Sequence, residues 1–131
     1  MKDSTDPPKI GIALGSGASR GWSHIGVLKA LLAAGITPDI VCGSSVGAMV
    51  GGAYLAGNID KLQNWVLSAS RTDVLRFFSF RLAGSGFVDI ERLDWFLHSF
   101  VAADLVIEQL GKPYAAVCTD QASGAEVLLC E

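Results

Sequence analysis

The sequence has little charge and no concentrated block of basic residues. Its 131 residues include ten Lys and Arg against thirteen Asp and Glu, which leaves a net charge of −3 at pH 7. Because proteins that bind nucleic acid through its phosphates need a dense positive surface, we expect no nucleic-acid partner. The three cysteines form no CxxC pair and leave one unpaired in any disulfide scheme. We therefore expect a reduced, cytoplasmic protein. We also expect neither a metal ion nor another cofactor.

The sequence predicts neither a signal peptide nor a membrane-spanning segment. Residues 1–8 are polar and contain two prolines, so we expect them to form a flexible leader. Residues 40–57 carry no charge and repeat the GxxxG spacing that is found in membrane helices. Five glycines and a single leucine in this stretch suit a buried strand and helix better than a membrane span.

Short apolar runs bounded by turn residues predict strands. They lie at residues 9–14, 39–42, 114–118 and 126–129, with a turn at 120–124 that joins the last two as a hairpin. A helical crossover separates the first two strands, so these should run parallel and end at the same edge of the sheet. The order of elements predicts an α/β fold with a mainly parallel sheet and helices on both of its faces.

Helices are predicted between these strands. A largely buried helix is expected over residues 22–34, and a helix that is buried all round runs from about Val46 to Ala56. Asp60 and Asp89 are expected to cap two further, amphipathic helices. The apolar faces of this second pair are predicted at Leu62, Trp65, Val66 and Ala69, and at Ile90, Leu93, Leu97 and Phe100.

A G-x-S-x-G motif lies between the second strand and the helix that follows it. In residues 43–47 the middle position is Ser45, flanked by Gly43 and Gly47. A nucleophilic serine at a strained strand-to-helix turn needs small neighbours, because the backbone folds back on itself there. Its hydroxyl then lies beside the N-terminus of a helix, which favours negative charge. We predict Ser45 as a nucleophile, with Ser44 pointing elsewhere.

A second glycine-rich loop, residues 15–21, follows the first strand and should face the serine turn. Its sequence, GSGASRG, has no general acid or base but offers several backbone N–H groups, the donors that an acyl-transfer site aims at a developing oxyanion. The glycines are also compatible with a plain packing turn or with a nucleotide loop. The nucleotide hypothesis requires an acidic residue at the end of the second strand, and Cys42 lies there instead.

Together the two loops resemble the patatin-like phospholipase family, in particular the bacterial members related to neuropathy target esterase. The segments that carry the resemblance are IALGSGASRGWSHIGVLKAL, VCGSSVGAMVGGAYLAG and TDQASGAEVLL, which cover the chain from about Ile10 to Leu129. The resemblance implies a three-layer α/β/α fold and a serine hydrolase that cleaves acyl esters of lipids with a Ser–Asp dyad. By the same resemblance Ser45 is the nucleophile, and Gly17 and Ala18, supported by Gly15 and Arg20, form the oxyanion hole.

The sequence departs from the family at the second member of the dyad. The family's aspartate lies in a D-G-[GA] motif, and the 131 residues contain no D-G dipeptide. The acidic residues that could replace it are poor candidates for the base, because they belong to predicted turns, caps or short strands. They are Asp120, Asp89, Asp94 and Glu126. We therefore expect residues 9–131 to form the N-terminal part of a patatin-like domain, truncated after the hairpin. Such a part is expected to be a poor hydrolase alone and to self-associate or pair with the remainder.

Two alternatives stay open on the sequence. A Ser-His-Asp hydrolase would have to use His24 or His98, and a non-catalytic binding or regulatory module would keep the fold without the chemistry. Lipid or another acyl ester is the expected partner, with transient contact at a membrane surface. An apolar lip for that contact is one interpretation of the aromatic cluster in residues 77–87, and a small satellite core beneath a loop is the other.

Overall fold

A computed structural model describes residues 7–73, 90–102 and 105–130, and these form a mixed α/β structure around one sheet. The strands follow the chain order across the sheet: β1 (Gly11–Leu14), β2 (Ile40–Ser44), β3 (Tyr114–Thr119) and β4 (Glu126–Leu129). The pairs β1–β2 and β2–β3 are parallel, and β4 returns antiparallel to β3. The predicted mainly parallel sheet and its closing hairpin are confirmed.

The helices of the described residues are α1 (Ser23–Ala33), α2 (Val46–Leu55), α3 (Ile59–Ser68) and α4 (Ile90–Phe96). Short 3₁₀ turns precede α1 at Ala18–Trp22 and β3 at Ile107–Gln109, and a π-helical turn continues α4 over Leu97–Ala102. The uncharged residues 40–57, which repeat the GxxxG spacing, contain β2 and α2 instead of one long helix. No helix in the described ranges is long and apolar enough to cross a membrane.

The core lies between the helices and one face of the sheet. Leu14, Val41 and Tyr114 project from three neighbouring strands on that face, since alternate residues of a strand point the same way. Helices α1 to α4 add buried side chains to the same cluster, among them Leu28 and Phe96. On the opposite face of the sheet Ile40 is 41% exposed and Leu128 is 53% exposed. The described residues therefore form two of the three expected layers.

Helix α1 is less buried than its composition predicts. Only Ile25 and Leu28 of this helix are buried, and Val27 is 49% exposed. The reason is geometric: α1 packs beside α2 and adds only Ile25 and Leu28 to the core, while its other apolar residues are not covered by the described parts of the chain. The prediction of a largely buried helix was wrong.

Both amphipathic helices were predicted, with two errors of detail. Leu62 of α3 is fully buried and Trp65 packs against the core, as expected. Asp60 does not cap α3, because the cap position is Asn58 and the Asp60 carboxylate instead accepts from Lys29 Nζ at 2.6 Å. Asp89 and the aromatic residues at 77–87 lie outside the described residues.

The buried face of α4 is also rotated from the predicted one. Phe100 is buried as predicted, but so is Phe96, which was not predicted, whereas Leu97 is 41% exposed. Phe96 packs on Trp22, with ring centroids 6.1 Å apart, and on Phe100 at 5.0 Å. Phe96 ends α4 and Phe100 lies in the π-helical turn that follows it, and both rings belong to the core, where they bury more apolar surface than leucines would.

Candidate active site at the carboxyl edge of the sheet

Ser45 lies between the end of β2 and the first residue of α2, in a strained backbone conformation. Its φ of 53° and ψ of −126° are unusual for any residue other than glycine. The carbonyl of Ser45 already accepts the first helical hydrogen bond, from the N–H of Met49 at 3.1 Å. The side chain is therefore held at the exposed start of α2, where the helix dipole favours negative charge on its oxygen.

The two glycines of the turn are required by backbone packing. A Cβ at Gly43 would lie 2.5 Å from the backbone of Gly47 and Ala48. A Cβ at Gly47 would lie 2.0 Å from the Leu14 carbonyl oxygen and 2.6 Å from that of Gly15. Since none of these atoms belongs to a movable side chain, the first turn of α2 can rest on the end of β1 only when both positions are glycine.

The glycine-rich loop after β1 has a strained backbone of its own. Gly17 has a φ of 154° and Ala18 a φ of 48°, and the loop is closed by the N–H of Arg20, which donates to the Gly17 carbonyl at 3.1 Å. Within the described parts of the chain no group accepts a hydrogen bond from the N–H of Gly17 or Ala18. These donors are the ones assigned by resemblance to an oxyanion hole, and that assignment remains a prediction.

The loop is seated directly on the serine helix. A Cβ at Gly21 would lie 2.1 Å from Cγ1 of Val46, the residue after Ser45, and Val46 is itself fully buried. The expectation that the two loops meet at one edge of the sheet is confirmed by this contact and by that of Gly47 with the end of β1. Arg20 takes part through its backbone.

His24 makes a contact that sequence reasoning did not identify. It is the second residue of α1, half-buried, and its Nε2 lies 2.8 Å from the Gly15 carbonyl oxygen. The histidine thereby joins α1 to the first residue of the glycine-rich loop. The sequence offered His24 as a possible triad histidine and did not indicate this partner, because a contact across nine residues between a loop and a helix leaves no periodic signal.

An apolar cavity of about 620 Å³ opens beside Ser45. Its walls come from α2, from α4 with the turn that follows it, and from β3. Leu93 and Leu97, predicted as core residues of α4, line this cavity, and so do Met49, Val101, Leu110 and Val117. Because the buried face of α4 differs from the predicted one, the two leucines line the cavity that Ser45 also lines.

The other candidate acid–base residues lie at different places relative to Ser45 and the cavity. Asp120 is exposed in the β3–β4 turn and accepts from the N–H and the hydroxyl of Ser123, at 2.7 and 2.6 Å. These bonds lower the pKa of its carboxyl, which makes Asp120 a weak base tied to its own turn. Asp94 and His98 line the cavity with Ser45, and His98 Nδ1 donates to the Asp94 carbonyl at 2.8 Å. Within the described residues neither of them forms a hydrogen bond or an ion pair with Ser45.

The described residues give the other hypotheses less support. Groups of three or more metal-ligating side chains are absent from these ranges. Cys42 lies half-buried in β2, opposite Ala13, where the nucleotide hypothesis would need an acidic side chain.

Comparison with known proteins gives a consistent result. Residues 12–125 match the patatin-like phospholipase family. An uncharacterized NTE family protein of Mycobacterium bovis is 38% identical over 120 residues, which are 92% of this chain and 33% of the relative. A fungal lysophospholipase of Emericella nidulans is 56% identical over 45 residues, or 34% of this chain and 3% of that protein. A mouse patatin-like phospholipase domain-containing protein is 53% identical over 45 residues, again 34% of this chain and 3% of the relative.

The chain spans about a third of the length of the mycobacterial relative that it matches over most of its residues.

Proposed function

Because the chain belongs to the patatin-like phospholipase family, we propose that it carries the nucleophile and the oxyanion hole of a serine hydrolase acting on acyl esters of lipids. The observation that carries the proposal is the position of Ser45 in a strained turn, against a glycine-rich loop and at the mouth of an apolar cavity. A lysophospholipase among the relatives supports the same class of substrate.

Each part of this edge has a role in the proposed reaction. The Ser45 hydroxyl attacks the ester carbonyl, and the carbonyl oxygen becomes an oxyanion that Gly17 and Ala18 stabilise through their N–H groups. Gly15 and Arg20 support the loop, while Gly43 and Gly47 allow the turn that presents the serine. The apolar cavity suits the acyl chain of the substrate, since burial of methylene groups favours binding.

The proton of Ser45 needs an acceptor, and we propose an aspartate beyond Glu131 in the complete protein. Asp120 is too weak a base and is held in its own turn. The alternative base is His98, which lines the same cavity as the serine. We further propose a cytoplasmic protein that meets its lipid substrate by transient contact with a membrane surface.

The proposal is tested with a fluorophosphonate probe on the complete protein that contains this chain. Ser45→Ala should abolish labelling and ester hydrolysis, because loss of a nucleophile lowers turnover by about 10⁴–10⁶-fold. Ser44→Ala is the matched control, since Ser44 is the last residue of β2 and should retain labelling. Loss of labelling in Ser44→Ala alone would contradict the assignment of the nucleophile.

Two more variants separate the parts of the site. Gly17→Val should lower turnover by at least about 10²-fold, the value of one oxyanion donor, since its φ of 154° strains any larger residue. His98→Gln should keep turnover within about 3-fold if an aspartate is the base, whereas loss of a catalytic base costs about 10²–10⁴-fold. A correctly folded wild-type protein that neither labels nor hydrolyses esters would favour the non-catalytic module.

A further inference from the structure

We propose that His24 is a positioning residue for the oxyanion loop: its Nε2–H holds the Gly15 carbonyl and thereby sets the orientation of the loop peptides that face the substrate. This inference rests on the proposed hydrolase function and adds a residue to its machinery. It assigns a role to one of the two histidines in the chain, and that role is not proton transfer from Ser45.

The hydrogen bond determines the state of the imidazole ring. A carbonyl oxygen only accepts, so the ring nitrogen at 2.8 Å must carry the hydrogen. The neutral ring then has a bare Nδ1, and the protonated ring keeps the same bond. Nε2 is therefore engaged by Gly15, and no hydrogen bond among the described residues joins either ring nitrogen to Ser45, which separates this role from that of a triad histidine.

Without the bond from His24, the loop could adopt several backbone conformations at Gly15. A Cβ at Gly15 would meet no atom within 4 Å, so packing of a side chain does not restrict this residue. Glycine itself visits many φ/ψ combinations, and the peptide that follows it can rotate as a unit. Because a trans peptide points its C=O and N–H in opposite directions, a rotation at Gly15 would also reverse the N–H of Ser16. The bond to His24 selects one orientation.

The selected orientation is also the one in contact with the serine helix. The Gly15 carbonyl oxygen lies close to Gly47: a Cβ added at Gly47 would be 2.6 Å from that oxygen. Gly47 is two residues after Ser45, so the tethered peptide is positioned between α1 and the first turn of α2. The strained residues Gly17 and Ala18 follow immediately, and their N–H directions depend on where the loop begins.

Three variants of the complete protein test the inference. His24→Leu removes the donor and keeps an apolar side chain of similar size. His24→Gln places an amide N–H the same number of bonds from Cα as Nε2, and so restores the donor. Ser23→Ala is the control, since Ser23 is the exposed neighbour on α1 and, within the described residues, bonds to the loop only through its backbone N–H, which alanine keeps.

The kinetic readout is the phosphonylation rate of Ser45, together with kcat and KM for a short, soluble p-nitrophenyl ester. In His24→Leu we expect kcat and the phosphonylation rate to fall together by about 10–10²-fold, with KM nearly unchanged, because oxyanion donors act in the transition state. His24→Gln should recover most of both rates, and Ser23→Ala should match the wild type. A merely structural histidine would instead lower thermal stability in both His24 variants and would not be rescued by glutamine.

Hydrogen exchange of the amides in residues 15–22 gives a second readout that needs no activity. We expect faster exchange in His24→Leu and near wild-type exchange in His24→Gln, because the tether limits opening of the loop. Unchanged exchange and unchanged kcat in His24→Leu would overturn the inference while leaving the hydrolase function intact. A wild-type protein that does not react at Ser45 would instead overturn the proposed function, with the exchange data still reporting on the tether.

Discussion

Helices α1 and α2 have similar apolar sequences and very different surroundings. The sequence SHIGVLKALLA of α1 and VGAMVGGAYL of α2 contain between them a single lysine and a single histidine as strongly polar residues. Only two residues of α1 are buried, whereas six of α2 are, three of them glycines. Helix α2 lies across the centre of the sheet and touches α1, α3 and the end of α4, while α1 lies at the side of α2.

The difference shows what glycine does in each helix. In α2 the glycines permit close approach of the helix to β1, β2 and β3, since Gly47 meets the end of β1 and Gly51 meets Val41 and Tyr114. In α1 a Cβ added at the exposed Gly26 would meet no atom of another element within 4 Å. A glycine therefore supports packing in one helix and only weakens the other. Three substitutions test how closely each helix is packed, two at glycines and one at the tyrosine that joins β3 to α2, beginning with the one expected to have the largest effect.

Gly47→Ala should destabilise the domain by at least about 3 kcal/mol, because a buried atom forced against backbone cannot be accommodated by a change of rotamer. Its Cβ would lie 2.0 Å from the Leu14 carbonyl oxygen. Urea unfolding measures the loss of free energy. The matched control is Gly52→Ala in the same helix, where the nearest atom is Val101 Cγ2 at 3.4 Å and the change should be within about 1 kcal/mol. Equal losses at the two positions would contradict the packing argument.

Tyr114→Phe should remove the hydrogen bond that joins β3 to α2 and, with it, a pH dependence of the free energy of unfolding. The Tyr114 hydroxyl donates to the Ala48 carbonyl at 2.8 Å, and burial, with smaller contributions from the thiols of Cys118 and Cys42, raises the pKa of Tyr114 to about 12. The unfolded chain releases this proton near pH 10, so the stability due to the neutral hydroxyl is complete below pH 10 and is lost as the pH rises toward 12.

Urea unfolding at several pH values separates the two effects of this substitution. Below pH 9 the phenylalanine variant should be less stable by about 1 kcal/mol, the usual worth of one hydrogen bond. Between pH 10 and 12 the wild type should lose about 2 kcal/mol more than the variant, so that the deficit closes or reverses. A deficit that stays constant with pH would mean that Tyr114 titrates at its ordinary value.

Gly26→Ala should have the smallest effect and the opposite sign. Alanine is a better helix former than glycine by about 0.5–1 kcal/mol, and at this exposed position of α1 the methyl group meets no other atom. We expect a gain in the free energy of unfolding of about that size. Gly51→Ala in α2 is the comparison, and it should be destabilising because its Cβ would lie 3.0 Å from Val41 Cγ1. A loss of stability in Gly26→Ala would show that α1 is more closely packed than described.

Much of the local structure could be predicted from short stretches of sequence. The strands β1 and β2, the hairpin of β3 and β4, and the G-x-S-x-G turn depend on residues that are close together along the chain. Where prediction was wrong, the deciding contact was distant. Asp60 pairs with Lys29, 31 residues away, rather than capping its own helix. The face of α4 follows the aromatic rings of Trp22 and Trp65, which no periodicity within α4 could indicate.

The sequence by itself determined where the chain turns, because glycine, proline and small residues restrict or free the backbone locally. It placed Ser45 after a strand and the glycine-rich loop after its parallel neighbour, and parallel strands then bring both to one edge. The tertiary structure decided that α2 and not α1 is buried, that Leu93 and Leu97 line the same cavity as Ser45, and that His24 holds Gly15. These outcomes depend on which surfaces meet across the fold, and a hydrophobic pattern states that a residue is apolar without stating which partner covers it.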